Sequence, residues 1–153
     1  MRVVQIQAEP LTSKAFKPFG EVVGEDAINM ALRSGEQFRM GIIKARNCGF
    51  QVDGLNFHKN STQALVPLEG KACLVVVAPP GTKFKKAKDL ERIKVFVCDG
   101  SVGINLGLKT WHKALLPLGP EMKMVNVQGV SSGEDTYEVD FKASLNATLE
   151  IVL

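Results

Sequence analysis

Residues 56–80 read NFHKNSTQALVPLEGKACLVVVAPP, and this stretch decides how the rest of the chain is interpreted. It opens with a polar cluster around His58, turns at Glu69 and Gly70, and continues into an apolar run over residues 72–78. That run has the length of a strand rather than of a helix, and its three consecutive valines favour extended backbone. Because it is apolar throughout and two prolines follow, it predicts a strand buried on both faces.

Short segments of strand character recur along the whole chain, separated by turns that contain Gly or Pro. Besides residues 72–78, the candidates are residues 2–7, 21–23, 38–45, 92–98, 102–106, 114–118, 121–127, 136–141 and 148–153. One short helix is predicted at residues 14–17, after the N-cap candidates Thr12 and Ser13. This pattern predicts an all-β barrel or double-sheet jelly roll, and no linker or repeat divides residues 1–153, so we expect one domain.

Composition excludes several classes of protein. The 153 residues are 45% hydrophobic and 23% charged, which is ordinary for a globular domain. No apolar stretch approaches the roughly 20 residues of a membrane span. The N-terminus, MRVVQIQ, lacks the apolar core of a signal peptide, so a cytoplasmic protein is expected.

The lysines at residues 83–88 are the one concentration of positive charge in a chain of net charge +3. Asp89 and Glu91 follow directly, and Phe84 is the only aromatic side chain nearby that could stack on a base. We therefore interpret the segment as a solvated loop and expect no nucleic-acid partner.

The chain has only two histidines, and their neighbours suggest that they meet. Asn56 and His58 point to the same face of a strand because side chains alternate with period two. Gln63 follows a polar break and can turn toward the same cavity. With His112 from a later strand, four polar side chains would converge inside the barrel. The alternative is that both histidines are ordinary hydrogen-bonded strand residues.

This spacing resembles the two motifs of the cupin superfamily, which implies a cupin-type jelly-roll barrel. There, the four positions are usually two histidines, a glutamate and a third histidine that bind a divalent metal. In this chain Asn56 takes the place of the first histidine and Gln63 that of the glutamate, leaving His58, Gln63 and His112 as the possible ligands. Since none of them carries a negative charge, any divalent metal is expected to be weakly held.

Over nearly its whole length the chain is similar to the ureidoglycolate lyase family, which is a cupin family. The matching segments are residues 10–22, 58–68, 70–79 and 103–115, among which Thr-Gln-Ala at 62–64 and Trp-His at 111–112 are the most specific. The chain departs from the family at three positions. The family usually has a glutamate at Asn56, a tyrosine or other polar residue near Leu106, and a histidine at Lys113.

The resemblance implies cleavage of ureidoglycolate to glyoxylate and urea, in the catabolism of allantoin and purine nitrogen, by a homodimer. The substrate is an N-acyl hemiaminal with a carboxylate. A base must take the proton of its hydroxyl group, and an acid must protonate the departing nitrogen. An imidazole suits the base role, and the residues leave open whether His58 or His112 provides it.

Four further residues are candidates for the substrate site. Arg46 is the first choice to bind the carboxylate, because a guanidinium group can form two parallel bonds to it. Lys113 is the second choice and could also supply the proton. Asn56 and Gln63 would contact the substrate, and Trp111 would wall the cavity beside the histidines. The alternatives are a surface charge for Arg46 and plain core packing for Trp111.

Two other functions remain open at this stage. The chain could be a diverged, non-catalytic cupin that binds a small carboxylate or sugar, because Asn56, Leu106 and Lys113 replace groups that transfer protons or bind ligands. A metal-dependent cupin oxygenase or isomerase is the third class, and the absence of a carboxylate at Gln63 speaks against it.

Overall fold

A computed structural model describes residues 1–153 and shows fifteen strands with three short helical segments. The strands are β1 (Arg2–Gln7), β2 (Glu9–Pro10), β3 (Gly20–Val23), β4 (Phe38–Arg46), β5 (Gln51–Val52), β6 (Gly54–Phe57), β7 (Gln63–Pro67), β8 (Cys73–Ala78), β9 (Lys94–Cys98), β10 (Gly103–Leu106), β11 (Trp111–His112), β12 (Leu116–Pro117), β13 (Glu121–Gly129), β14 (Tyr137–Asp140) and β15 (Ala147–Val152). The helices are α1 (Ser13–Phe16), a 3-10 helix (Ala87–Arg92) and α2 (Phe141–Leu145). None of them is long and apolar enough to span a bilayer.

The strands form three sheets, and strand β8 lies in the middle one. This middle sheet has the order β14-β6-β11-β8-β9-β2, with β12 also pairing with β8. A five-stranded sheet, β3-β10-β7-β13-β4, covers one face, and a three-stranded sheet, β1-β15-β5, covers the other. Side chains alternate along β8, so Val75 and Val77 pack into one core cluster and Leu74 and Val76 into the other. All six residues of β8 are buried, as predicted.

The prediction of an all-β jelly-roll barrel is confirmed, and so is the short helix after Thr12. The Thr12 hydroxyl oxygen accepts the N–H of Ala15 at 3.1 Å. Two further helical segments and the third sheet were not predicted. The strand predicted at residues 136–141 ends at Asp140, because the carboxylate of Asp140 accepts the N–H of Ala143 at 3.0 Å and caps helix α2.

The lysine segment is partly helical rather than a simple loop. The carboxylate of Asp89 accepts the N–H groups of Lys85 and Lys86 at 2.8 and 3.0 Å, and this holds the start of the 3-10 helix. The lysine side chains are exposed, as expected for a solvated segment. Leu90 is buried and attaches the segment to the core.

Strand β13 shows how the barrel interior becomes polar at one end. Its inward side chains alternate, and Met122 and Met124 belong to the apolar core. Further along the same face lie Asn126 and Gln128. On the neighbouring strand β7, Gln63 likewise lies at the polar end of the interior, whereas Leu65 is fully buried in the core. The barrel is therefore a packed core at one end and a polar cavity at the other.

Candidate active site

The two histidines of the chain lie side by side in this polar cavity. His58 follows the end of β6, and His112 lies on β11, which pairs with β6 through Asn56. The centroids of the two imidazole rings are 5.4 Å apart. Both rings line a cavity of about 250 Å³, here called the histidine pocket. Its lining residues are Asn56, His58, Gln63, His112, Ala114, Gln128, Ser132, Gly133 and Thr136.

Hydrogen bonds to backbone carbonyls orient both rings. His58 Nδ1 lies 3.1 Å from the carbonyl oxygen of Asp135, and His112 Nδ1 lies 3.0 Å from that of Thr110. A carbonyl oxygen can only accept a hydrogen bond, so each Nδ1 carries the hydrogen and donates it. In the neutral ring, Nε2 then has a free lone pair that can accept a proton or a hydrogen bond. Both imidazoles of the pocket thus have the same tautomer, with the hydrogen on Nδ1.

The two rings differ in their contact with water. His112 is 5% exposed, and desolvation of the charged ring lowers its pKa from 6.5 to about 4. The hydrogen bond to Thr110 raises this pKa and the neighbouring His58 lowers it further, but both effects are smaller than desolvation. His112 is therefore neutral at pH 7. His58 is only half-buried.

Gln63 lines the same cavity and has an unpartnered side-chain oxygen. Its amide nitrogen donates to Asn126 Oδ1 at 2.8 Å, which fixes the side chain. Its Oε1 atom is buried and has no hydrogen-bond partner. Because a buried acceptor without a donor costs roughly 1–3 kcal/mol, this atom is a position where a ligand with an N–H group would be favoured.

The segment from Gly129 to Thr136 covers the pocket and is hydrogen-bonded to the connection between β6 and β7. The N–H of Gly129 donates to Ser61 Oγ at 2.8 Å. Farther along, the Asp135 carboxylate accepts the N–H groups of Lys59 and Asn60 at 2.9 and 2.7 Å. The same Asp135 accepts a hydrogen bond from His58 through its carbonyl, so this residue fixes the covering segment and the histidine together.

Lys113 and Arg46 lie outside the histidine pocket, in a groove that continues from it. Lys113 lines a neighbouring cavity of about 340 Å³ that shares Asn56 and His112 with the pocket. Arg46 lines a further cavity, and Lys113 contributes to that one as well. Lys113 therefore lines the cavity that adjoins the histidine pocket, and Arg46 lines only the cavity beyond that one. The prediction that Arg46 contacts the same small carboxylate as the histidines is not met by this geometry.

Trp111 does not wall the histidine pocket either. It precedes His112 on strand β11, and successive side chains of a strand point to opposite faces. Its indole Nε1–H donates to the carbonyl of Thr82 at 3.0 Å. Phe57 and Phe84 pack against it edge-on, with ring centroids 4.6 and 5.3 Å away. Trp111 is a core residue, which was the alternative interpretation of the sequence.

Several pocket residues were not identified from the sequence. Gln128 lies on strand β13, and Ser132 and Thr136 lie on the covering segment. A signal for the first was available, because residues 121–127 alternate and the inward positions change from methionine to amide side chains at Asn126. No comparable signal existed for the covering segment, whose contribution depends on how it folds back over His58.

The donor set of the pocket does not fit a tightly held metal ion. Two imidazole Nε2 atoms and the orphaned Gln63 oxygen provide three neutral donors. Divalent oxygen-preferring ions are bound mainly by carboxylates, and the lining residues of the pocket include none. Nowhere in the chain do three His, Cys, Asp or Glu side chains form a group that could hold a metal ion. The weakly held divalent metal stays a prediction.

Comparisons with known proteins give a consistent result. The profile of the family described as ureidoglycolate lyase matches residues 29–148. A ureidoglycolate lyase of Azotobacter vinelandii is 30% identical over 158 residues, covering 90% of this chain and 92% of its own length. One of Burkholderia mallei is 29% identical over 168 residues, covering 97% and 96%. Among solved structures, the dTDP-6-deoxy-D-glucose-3,5-epimerase of Legionella pneumophila aligns with a TM-score of 0.47 and 9% identity, over 78% of this chain and 69% of that one.

Proposed function

The chain belongs to the ureidoglycolate lyase family, and we propose that it cleaves ureidoglycolate into glyoxylate and urea in the histidine pocket. The observation that carries this proposal is the pair of imidazoles 5.4 Å apart, each with its Nδ1–H tied to a backbone carbonyl. The reaction needs a proton acceptor and a proton donor on two atoms bound to the same carbon. Of two adjacent imidazoles, a neutral ring accepts the proton at Nε2 and a protonated ring donates one from Nε2, which together meet that need.

The chemistry balances without any net uptake of protons. A base removes the proton of the substrate hydroxyl, the C–O bond becomes the carbonyl of glyoxylate, and the C–N bond breaks. The departing nitrogen receives a proton and leaves as urea. One proton is taken from oxygen and one is delivered to nitrogen, so a donor and an acceptor that exchange a proton between turnovers suffice.

The different environments of the two rings assign the roles. His112 is buried and neutral, so its Nε2 is free to accept the hydroxyl proton. The negative carboxylate of a bound substrate would stabilise the imidazolium that forms. His58 is half-buried, whereas His112 is buried, so we assign His58 as the donor to the leaving nitrogen, from Nε2 of its imidazolium form. Lys113, which lines only the adjoining groove, is a less direct proton source.

The amide wall of the pocket suits the urea half of the substrate. The ureido group carries several N–H donors, and Gln63 Oε1 is a buried acceptor without a partner. Asn56 lines the pocket on the opposite strand and can bond to the ureido carbonyl through its amide nitrogen. Both residues keep their predicted role in substrate binding, but as ligands of the urea group rather than of a metal.

A direct assay tests the function. Purified protein is mixed with ureidoglycolate, and glyoxylate is measured with time, for the wild type, His58→Ala, His112→Ala and Lys83→Ala. We expect release by the wild type and by Lys83→Ala, which changes an exposed residue far from the pocket, and losses of about 10²- to 10⁴-fold for the histidine variants. Binding of ureidoglycolate without turnover would instead support the diverged, non-catalytic cupin.

The predicted homodimer has a plausible surface on strand β4. This nine-residue strand lies at the edge of the five-stranded sheet, and all but one of its residues are exposed. Its outer face carries Phe38, Met40 and Ile42, with Met40 74% and Ile42 63% exposed. A long apolar edge strand tends to pair with another chain, and pairing with its own copy gives a two-fold symmetric contact.

Sedimentation analysis tests this surface. Ile42→Lys should convert a dimer into a monomer, whereas Leu108→Lys, at an exposed leucine outside β4, should leave it intact. A wild-type monomer at micromolar concentration would refute the dimer. A location in the cytoplasm and a part in the catabolism of purine nitrogen complete the proposal, and the family membership supports both.

A further inference from the structure

The histidine pocket lacks a positive charge, although the substrate proposed for it is a carboxylate. None of its nine lining residues is a lysine or an arginine. His112 is neutral and buried, so it does not compensate an incoming anion before proton transfer. Binding a carboxylate beside it requires a cation close to the mouth of the pocket.

We propose that Arg39, on strand β4, is the residue that binds the carboxylate of the substrate. The inference rests on the proposed function and adds the residue that orients the substrate. A guanidinium group binds a carboxylate through two parallel hydrogen bonds, so it would also fix which side of the reacting carbon faces each imidazole.

The register of β4 against β13 places Arg39 on the pocket side of the sheet. Arg39 is the direct partner of Gln128, which lines the histidine pocket. Directly paired residues of antiparallel strands lie on the same face, with Cβ atoms about 4.5–5.5 Å apart. An arginine side chain is longer than this separation. Its guanidinium group can therefore reach the mouth of the pocket beside Gln128.

The inner face of β4 also leaves room for such a contact. The next inward residue after Arg39 is Gly41, which pairs with Asn126. A Cβ atom at Gly41 would have no other atom within 4 Å, so there is open space at this point of the strand. Asn126 accepts the hydrogen bond that orients Gln63, and the open space therefore adjoins the urea-binding wall.

Arg39 is free to take a ligand, whereas the other basic candidates are engaged or misplaced. The three ion pairs of the chain do not include Arg39. Arg46 lies on the same strand at an odd spacing of seven residues and so faces outward, opposite Glu121. Lys113 lines a groove that also contains Asp140 and Glu138, whose charges would repel a second carboxylate.

The experiment compares Arg39→Gln and Arg39→Lys with the matched control Arg46→Gln on the same strand. Steady-state assays measure kcat and KM for ureidoglycolate, and calorimetry measures the affinities of glycolate, a carboxylate, and of urea, which is neutral. Arg39→Gln should lower kcat/KM and the affinity for glycolate by about 10- to 100-fold, the loss expected for a charge-assisted hydrogen bond. Arg39→Lys should recover part of it, and urea binding should not change.

Three results would overturn the proposal. The first is unchanged glycolate affinity in Arg39→Gln, including the case in which Lys113→Gln loses that affinity instead. The second is a wild type that does not bind glycolate at all. If the wild type binds glycolate through Arg39 but releases no glyoxylate from ureidoglycolate, the carboxylate anchor stands and the proposed function fails. A loss of urea affinity equal to that of glycolate would show that Arg39 only maintains the structure, and would also overturn the proposal.

Discussion

The two ends of the barrel interior are built from the same strands but have opposite chemistry. Along β13, Met122 and Met124 are packed in the core, and Asn126 and Gln128 follow on the same face. Along β7, Leu65 is fully buried and Gln63 lines the pocket. Only the apolar end has the dense packing that stabilises a fold. The polar end contains groups without a hydrogen-bond partner, such as Gln63 Oε1, and only a bound ligand would give them one.

Because packing and polar chemistry lie at different ends of the barrel, stability and activity should respond to different substitutions. A change at the apolar end removes buried surface and should lower the free energy of unfolding. A change at the polar end should alter turnover and leave the fold largely intact, since those side chains contribute few packing contacts. Substitutions at both ends test that separation.

The largest effect is expected from the histidine pair. If His58 and His112 act as one proton-transfer unit, the double variant His58→Ala/His112→Ala should lose about as much activity as the more severe single variant, roughly 10²- to 10⁴-fold. Glyoxylate release under saturating substrate is the measurement. Losses that multiply fully in the double variant would show that the two rings act independently. Far-ultraviolet circular dichroism confirms that the variants are folded.

Leu65→Ala should break the apolar end. The side chain is fully buried, two residues after Gln63 on β7, and its truncation should cost about 2–5 kcal/mol of the free energy of unfolding. Urea denaturation gives that value. Under conditions where the variant is folded, kcat should stay within a few fold of the wild type. A variant of normal stability and little activity would contradict the separation between the two ends.

The buried His112 should make stability depend on pH. Its pKa is about 4 in the folded protein and 6.5 when it is exposed, so the unfolded chain binds the proton first as the pH falls. Its effect is absent above pH 6.5 and destabilises the protein progressively down to about pH 4, where it reaches about 3 kcal/mol. In the variant His112→Gln the fall in unfolding free energy between pH 7.5 and pH 4 should be smaller by this amount. Parallel curves of unfolding free energy against pH for the two proteins would show that His112 takes up its proton at the same pH in the folded and in the unfolded chain.

Gln63→Glu sharpens the polar end by adding the carboxylate that the donor set lacks. Together with two imidazoles it should bind Zn²⁺ or Mn²⁺ more tightly than the wild type by about tenfold or more, which corresponds to about 1.4 kcal/mol. Calorimetric titration with each ion is the measurement. The control Asn126→Asp adds the same charge at the side chain that is hydrogen-bonded to Gln63. Equal affinities for the wild type and Gln63→Glu would show that the histidine Nε2 atoms do not converge on one point.

Much of the fold and part of the site could be predicted before the structure. Residues 72–78 could only be a strand with apolar neighbours on both sides, and the structure places β8 between two sheets for that reason. The meeting of His58 and His112 could be expected from their polar neighbours. The capping of α2 by Asp140 was less visible, because a short helix gives too few residues for a periodic pattern.

The substrate-binding cation shows the limit of the sequence. Arg46 and Arg39 lie on one strand, and both carry the guanidinium group for which Arg46 was favoured as the ligand of the carboxylate. Their faces differ because seven residues separate them, and the face toward the cavity is fixed by which residue of β13 pairs with which residue of β4. This register is set by contacts between strands more than 80 residues apart in places, as Arg39 and Gln128 are, so no local pattern determines it.

By itself the sequence determined an all-β chain with an apolar middle strand, and it determined which residue types are available for proton transfer. Alternation of side chains and the lengths of apolar runs are local properties, so they are present in the primary structure. Only the tertiary structure decided that Trp111 turns away from the pocket and that residues 129–136 cover it. It also decided that a neutral histidine and a glutamine with an unpartnered oxygen line one cavity, because burial and hydrogen bonding depend on strands that are distant in sequence.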